Sequence, residues 1–522
     1  MPQISCWNCG VPPTPPTVPS SPPELIPLLT SNDVPDTPHI RSIQEFISTG
    51  KHHLGTLNVR IEALQIAIEQ LIHERNSLEE SVQQHEGILS PIRRLPSEIV
   101  GNIMQFASPL IRNIHGTERQ HAPWPLARVC AHWRACVLAD RQIWANISIY
   151  ADVSYLKPFE QVFPLSMIQA QLLLSRDGPL DISFDWSSLG FAHETHFLTV
   201  LNVVLDHCNR WERVALRGPR NTPIYAALSR VKRQVPLMCR LEWLITHPAQ
   251  DIDWFEVSPS LREVALGEPG ASRLLSVFHV PPSSLISIPW HQITKCRAIF
   301  HENTHLDVLR RAQSLRECGL LCSRRPSRVF LGTGVVEMPH LRRLHVDDEN
   351  FLDHLVAPIL QDLLVHKFVS KILPFLRRST AQLTSLTIFD WYPTLDLIPV
   401  LRASPGLTHI CIGATSSPYC NADSFIPALY ISDDASDLCP NLTSIMWRDE
   451  SHGNQIFLQY QDVFLDMIES RWRAHSLSSL RLFLSNNRLQ EGAAQRLHSL
   501  EHEGLDARVL NLSSFIKVVN PP

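Results

Sequence analysis

The residues best suited to chemistry in this sequence are His301, Glu302 and His305, which spell H-E-x-x-H. On a helix that spacing sets two imidazoles on one face to bind zinc, with the glutamate as general base. The surroundings argue against it. Asn303 and Thr304 immediately precede Leu306-Asp307-Val308-Leu309 and read as N-cap residues, which puts His301 ahead of the helix rather than on it. The longer metalloprotease pattern needs Gly and His further on, where Val308 and Arg311 stand. The chain carries 25 histidines, so a chance match is easy. Cys6-Trp7-Asn8-Cys9 is a C-x-x-C pair, but zinc needs two more ligands and no second pair follows nearby. No G-x-S-x-G elbow, phosphate-binding glycine loop or Rossmann fingerprint occurs. The expectation is a chain that is not an enzyme, with no catalytic residues, no metal and no cofactor. A zinc metalloprotease is kept as a remote alternative, and it would require bound zinc.

Whatever the chain does, its elements must position binding surfaces. A length of 522 residues suggests two to four structural units. A net charge of −5 argues against nucleic acid as the main partner, because phosphate binding leaves an excess of Lys and Arg. No apolar run is long enough to span a bilayer, and nothing resembles a signal peptide. The twelve scattered cysteines read as reduced thiols, which places the chain in the cytoplasm or nucleus.

Residues 1–39 are crowded with Pro, Ser and Thr and read as disordered, because they cannot bury enough apolar surface to offset ordering the backbone. Residues 40–90 read as a long helix. Leu54, Leu57, Ile61, Leu64, Ile68, Leu71, Arg75, Leu78, Val82, His85 and Leu89 are spaced alternately three and four apart, a heptad seam with mostly β-branched residues at a and Leu at d. Two outcomes are open: a homodimer through residues 54–89 as a parallel coiled coil, or a single helix packed on the rest of the chain.

Pro91 closes that helix, and Leu95-Pro96-Ser97-Glu98 opens another. Leu95, Ile99, Ile103 and Phe106 fall on one face of it. A second helical stretch is read over Trp124–Arg134, with Leu126, Val129, Trp133 and Val137 at helical spacing, and the unit ends in Ile143-Trp144. This run over residues 91–150 resembles the F-box. The family pattern is a Leu-Pro-x-Glu start, an apolar helix, a Val-Cys-x-x-Trp-Arg helix and a Leu/Ile-Trp close, and all four parts stand here in order. The resemblance implies docking on a Skp-type adaptor, and through it cullin. It assigns that contact to Leu95, Pro96, Ile99, Ile103, Val129 and Trp133. The chain departs from the family in a longer polar link over residues 108–123, and in Pro123-Trp124-Pro125 where the second helix usually starts.

Residues 151–520 carry a looser repeat: a Leu, an apolar residue three later, and another two after that. The starts are Leu261, Leu285, Leu315, Leu341, Leu360, Leu383, Leu407, Leu442 and Leu477, and five of them have Pro two residues before. Each copy reads as a short strand, with helical stretches such as Leu306–Ala312 and Phe368–Arg378 between. Strands starting at Leu341, Leu360, Leu383 and Leu407 should lie side by side in one parallel sheet. Leu344, Leu363, Leu386 and Ile410 should form its buried row, with Arg343, Asp362, Ser385 and His409 facing the other way. The pattern resembles leucine-rich repeats, although it lacks their regular Asn or Cys cap. The fold class is therefore α/β: a heptad-patterned N-terminal helix, a helical F-box and an irregular leucine-rich-repeat-like solenoid, a layout similar to the F-box proteins of mushroom-forming fungi. That layout implies the substrate-recognition adaptor of a Skp–cullin–F-box ubiquitin ligase, holding a protein substrate on the repeat domain through unidentified residues. The alternative is a scaffold that assembles a complex without ubiquitin transfer.

Overall fold

A proline two residues before an apolar residue is the local event behind much of the sheet. The N–H groups of Leu261, Leu341, Leu360, Leu407 and Leu442 donate to the carbonyls of Ser258, Met338, Ala357, Ser404 and Cys439, closing five tight turns. Pro259, Pro339, Pro358, Pro405 and Pro440 hold the second position of these turns, where the ring presets the backbone. Each turn delivers its leucine into the core and leads directly into a strand.

The computed structural model describes residues 20–110, 123–150, 165–187, 194–218, 221–245, 252–266, 286–300, 304–322, 334–347, 350–366, 369–391, 397–414, 422–431, 438–449, 455–484 and 489–512. The chain divides into two units, Met1–Val100 and Gly101–Pro522. It is mixed α/β, with a long N-terminal helix and a large parallel sheet.

In the first unit, the helix Thr37–Leu89 runs for 53 residues. Asp36 caps it by accepting the His39 N–H at 3.0 Å, and Pro38 sits in the first turn, where no helical bond is lost. That N–H holds the Asp36 carboxyl below its ordinary value. No residue of the helix is buried. Within the stretch 1–39, read as disordered, Pro23–Leu25 and Ile26–Thr30 form short helical turns and Leu25 is buried. Pro23 and Pro27 stand in first turns, where proline favours a helix instead of breaking it. Residues 1–19, including Cys6 and Cys9, lie outside the described residues.

Among the described residues of the second unit, fourteen parallel strands form one sheet in chain order, from Asn146–Tyr150 to Asp506–Asn511. As the spacing predicts, Arg343–Val346, Asp362–Val365, Ser385–Trp391 and His409–Ala414 are neighbours, and Leu344, Leu363, Leu386 and Ile410 stand directly opposite one another. The row extends unbroken to Ile147 in one direction and Ala507 in the other, and every member is buried. Residues from intervening helices, such as Phe351, Ile372, Phe375 and Phe464, join the same core. The expected helical stretches appear as Thr304–Arg311 and Ile372–Ser379.

The sheet differs from the sequence reading at its beginning. Four strands precede the first expected one: Asn146–Tyr150, Leu180–Asp185, Trp211–Gly218 and Arg240–Ile245. Their leading core position, three residues before the buried row, is filled by Trp144, Trp211 and Met238 in three of the four, all buried. The strand Lys295–Phe300 is led by Ile293, not by Leu285, which lies outside the described residues. Ile286 instead makes an isolated bridge to Ile252. The position selects a large apolar side chain of any shape, because burial rewards area and not leucine as such.

In place of the leucine-rich-repeat cap that the chain lacks, a hydroxyl device recurs at the other end of the strands. Just before their strands, the hydroxyls of Thr408, Thr443 and Ser478 donate at 3.0, 3.1 and 3.1 Å to the carbonyls of Thr384, Thr408 and Thr443 one strand back. Each of these carbonyls also accepts two backbone N–H groups. Gly413 is required where the pairing shifts between Ile388 and Trp391, since a Cβ there would lie 2.0 Å from the Phe389 carbonyl oxygen. Arg471 is wholly buried and donates to the carbonyls of Leu429, Cys439 and Leu438 at 2.7, 3.0 and 2.7 Å, pinning together chain segments on either side of residues 432–437.

Candidate partner-binding surfaces

The helix Ser97–Leu110 carries two apolar stripes. Val100 and Met104, one turn apart, are buried. Ile99, Ile103 and Phe106 lie on another face and are 44%, 39% and 80% exposed, a stripe left without cover. Leu95 ends the short turn Pro91–Arg94 and is half-buried; Pro96 is exposed, and its carbonyl accepts the Ile99 and Val100 N–H groups at 3.1 Å.

The second helix is shorter than the sequence reading over Trp124–Arg134. Leu126–Arg128 is a tight turn and the α-helix runs from Ala131 to Ala139. Pro123 and Pro125 each remove an N–H that a helix there would need. Cys130 caps the helix, its Sγ accepting the Trp133 N–H at 3.4 Å. Val137 is buried, Trp133 half-buried, and Val129 is 59% exposed. Within the second unit, Gln105 Nε2 donates to Asp140 Oδ2 at 2.7 Å, and Trp144 Nε1 donates to the Val137 carbonyl at 2.7 Å. Trp124 packs edge-on against Trp144 with ring centroids 4.9 Å apart. The closing Ile143-Trp144 is thus core, while Ile99, Ile103 and Val129 are each exposed.

The sheet face opposite the helices is the second surface. Its first row is charged and paired from strand to strand: Asp181–Arg213 at 2.8 Å, Lys295–Glu317 at 3.3 Å, Glu317–Arg343 at 3.5 Å and Arg343–Asp362 at 2.8 Å. Arg343 and His409 are exposed, and Asp362 and Ser385 half-buried. Apart from the neighbours Arg213 and Arg240 the signs alternate from Asp181 to Asp362, so the row does not attract one class of charged partner. Further along the strands the same face turns apolar and is covered: Phe389, Cys411 and Phe483 are buried and form a second small core with Leu364, Met446 and Leu510 packed against it. Beside it, His345 and His366 stack with centroids 5.2 Å apart and share a hydrogen bond between their Nε2 atoms at 3.0 Å; Phe389 packs on His366 at 4.8 Å. Burial first, then the charges of His366 and Arg297, push the His345 imidazole down to about 3. This region was not read from the sequence. Its signal was there in strands whose apolar residues do not alternate, such as Leu386-Thr387-Ile388-Phe389 and Leu482-Phe483-Leu484.

Among the described residues no group of three or more His, Cys, Asp or Glu is placed to hold a metal ion. His301, Glu302 and Asn303 lie outside the described residues, and the helix that follows begins at Thr304. Burial pushes the Cys296 and Cys411 thiols up to about 12, which makes them packing groups and not nucleophiles. No described helix is long and apolar enough to cross a membrane. Neither a protein-family model nor a curated protein sequence matches the chain.

Proposed function

We propose that the chain is the substrate-recognition adaptor of a Skp–cullin–F-box ubiquitin ligase, with an F-box over residues 91–150 and a leucine-rich-repeat-like substrate domain beyond it. One observation carries the reading. The motif positions that contact the Skp-type adaptor in the family include Ile99, Ile103 and Val129; here Ile99 and Ile103 are exposed on a helix whose other apolar face, Val100 and Met104, is buried, and Val129 is exposed in the bend ahead of the next helix. A face built this way is completed by a partner. The charged row of the sheet supports the other half, because exposed side chains such as Arg343 and His409 offer polar ground to a protein substrate held near the ubiquitin-charged enzyme. The adaptor carries no bond chemistry of its own.

The test is co-purification. Ile99→Asp with Ile103→Asp should abolish recovery of the Skp-type adaptor and cullin while leaving the sheet folded, since both residues are exposed. Undiminished recovery from this variant would refute the docking assignment. Recovery of the Skp-type protein without cullin would favour a scaffold that does not transfer ubiquitin.

A further inference from the structure

The long helix leaves an apolar seam in water. Ile61, Leu64, Ile68, Leu71 and Leu78 are each between 51% and 67% exposed, and no residue of Thr37–Leu89 is buried. At 1.5 Å per residue this seam lies on a rod about 80 Å long. Helices in water owe most of their stability to a covered apolar face, so a 53-residue helix with none is incomplete as a single chain.

The period of the seam identifies what covers it. The a positions continue upstream of Leu54 at Ile47 and Ile40, both exposed and each seven residues apart. A straight helix drifts about 20° per heptad against a strict seven-residue repeat, so over seven heptads the stripe would wind about 140° around the rod. A stripe that winds so far cannot lie along one flat surface. It stays in contact only with another helix of the same repeat, in a left-handed supercoil. β-Branched residues at a (Ile61, Ile68, Val82) with Leu at d (Leu64, Leu71, Leu78) select two parallel strands.

We infer that Thr37–Leu89 is the dimerisation element of the protein, pairing with the same helix of a second copy in parallel and in register, and that Arg75 sets the register. Arg75 is the one charged residue at an a position of the seam. In register, the two Arg75 side chains share one layer of the supercoil. Glu74 and Glu79, at the flanking g and e positions and exposed, surround that layer with four carboxylates. A shift of one heptad would set each arginine against Ile68 or Val82, stranding two charges among apolar side chains. The polar layer thus weakens the dimer and makes the in-register pairing the best of the alternatives.

The test uses the full chain and does not depend on the adaptor reading. By light scattering, the wild type should have about 118 kDa, twice its 59.2 kDa chain mass. Leu64→Asp with Leu71→Asp should halve that mass, leave the protease-resistance pattern of the sheet unchanged, and still recover the Skp-type adaptor if that reading holds. Wild type mixed with size-tagged Arg75→Glu should form heterodimer in excess of random pairing, because opposite charges then face each other in the layer. A monomeric wild type, or a double variant that stays dimeric, would overturn the dimer. Random pairing with Arg75→Glu would overturn the parallel, in-register arrangement.

Discussion

Leu386 lies at the centre of the continuous buried row, with Leu363 opposite on one side and Ile410 on the other, and none of its surface reaches water. Replacing it by alanine removes its transfer free energy and leaves a cavity, about 2–5 kcal/mol together. Replacing it by aspartate adds a carboxyl group without a partner. In such a site the acid stays neutral, with its pKa raised by ~3 or more units, and holding it neutral at pH 7 costs about 4 kcal/mol. The sum, ~6–9 kcal/mol, is comparable with the whole stability of a domain, about 5–15 kcal/mol. Leu386→Asp should therefore be insoluble or rapidly digested in limited proteolysis. Leu386→Ala should fold with a lower urea midpoint by circular dichroism. His409→Glu, one residue before Ile410 on the exposed side, should unfold at the wild-type midpoint. If Leu386→Asp and wild type resist protease and urea equally, the register of the row is wrong.

Arg471→Met keeps the volume but removes the donor to three buried carbonyls, at about 1–3 kcal/mol for each left unsatisfied; thermal unfolding should fall sharply, and an unchanged midpoint would show that the carbonyls find other donors. His345 predicts acid sensitivity. Its imidazole is held at about 3 in the fold, against 6.5 when unfolded, so the unfolded chain binds a proton that the folded chain refuses between those values. Stability is unaffected by this group above about pH 6.5 and is lost as pH falls below it, by about 1.4 kcal/mol per pH unit. His345→Phe should flatten that dependence between pH 7 and 5; identical slopes for variant and wild type would rule His345 out as the source.

Much of the sheet was legible because its local rules are strict. Proline at the second turn position forces the chain to reverse, and alternation with period two then leaves only one choice of buried face. Hence Leu344, Leu363, Leu386 and Ile410 could be aligned across strands that are 19 to 24 residues apart in sequence. The heptad seam was legible for the same reason, since its spacing is a property of one helix and needs no partner to be seen. Other features depend on what the chain meets after it folds. Trp144, Trp211, Met238 and Ile293 lead their strands because a buried site accepts area, so a search for leucine passed over them. On the helix Ser97–Leu110, Val100 and Met104 are as apolar as Ile99 and Ile103, and only packing decides which pair is buried. Phe389 and Phe483 cluster with Cys411 on the outward face although they come from strands far apart in sequence, and Arg471 finds its three carbonyls more than thirty residues away. Local patterns specify periodicity, and periodicity names a face. Whether that face meets a helix, solvent or another chain is settled by the tertiary neighbours, because burial energy belongs to the contact and not to the residue.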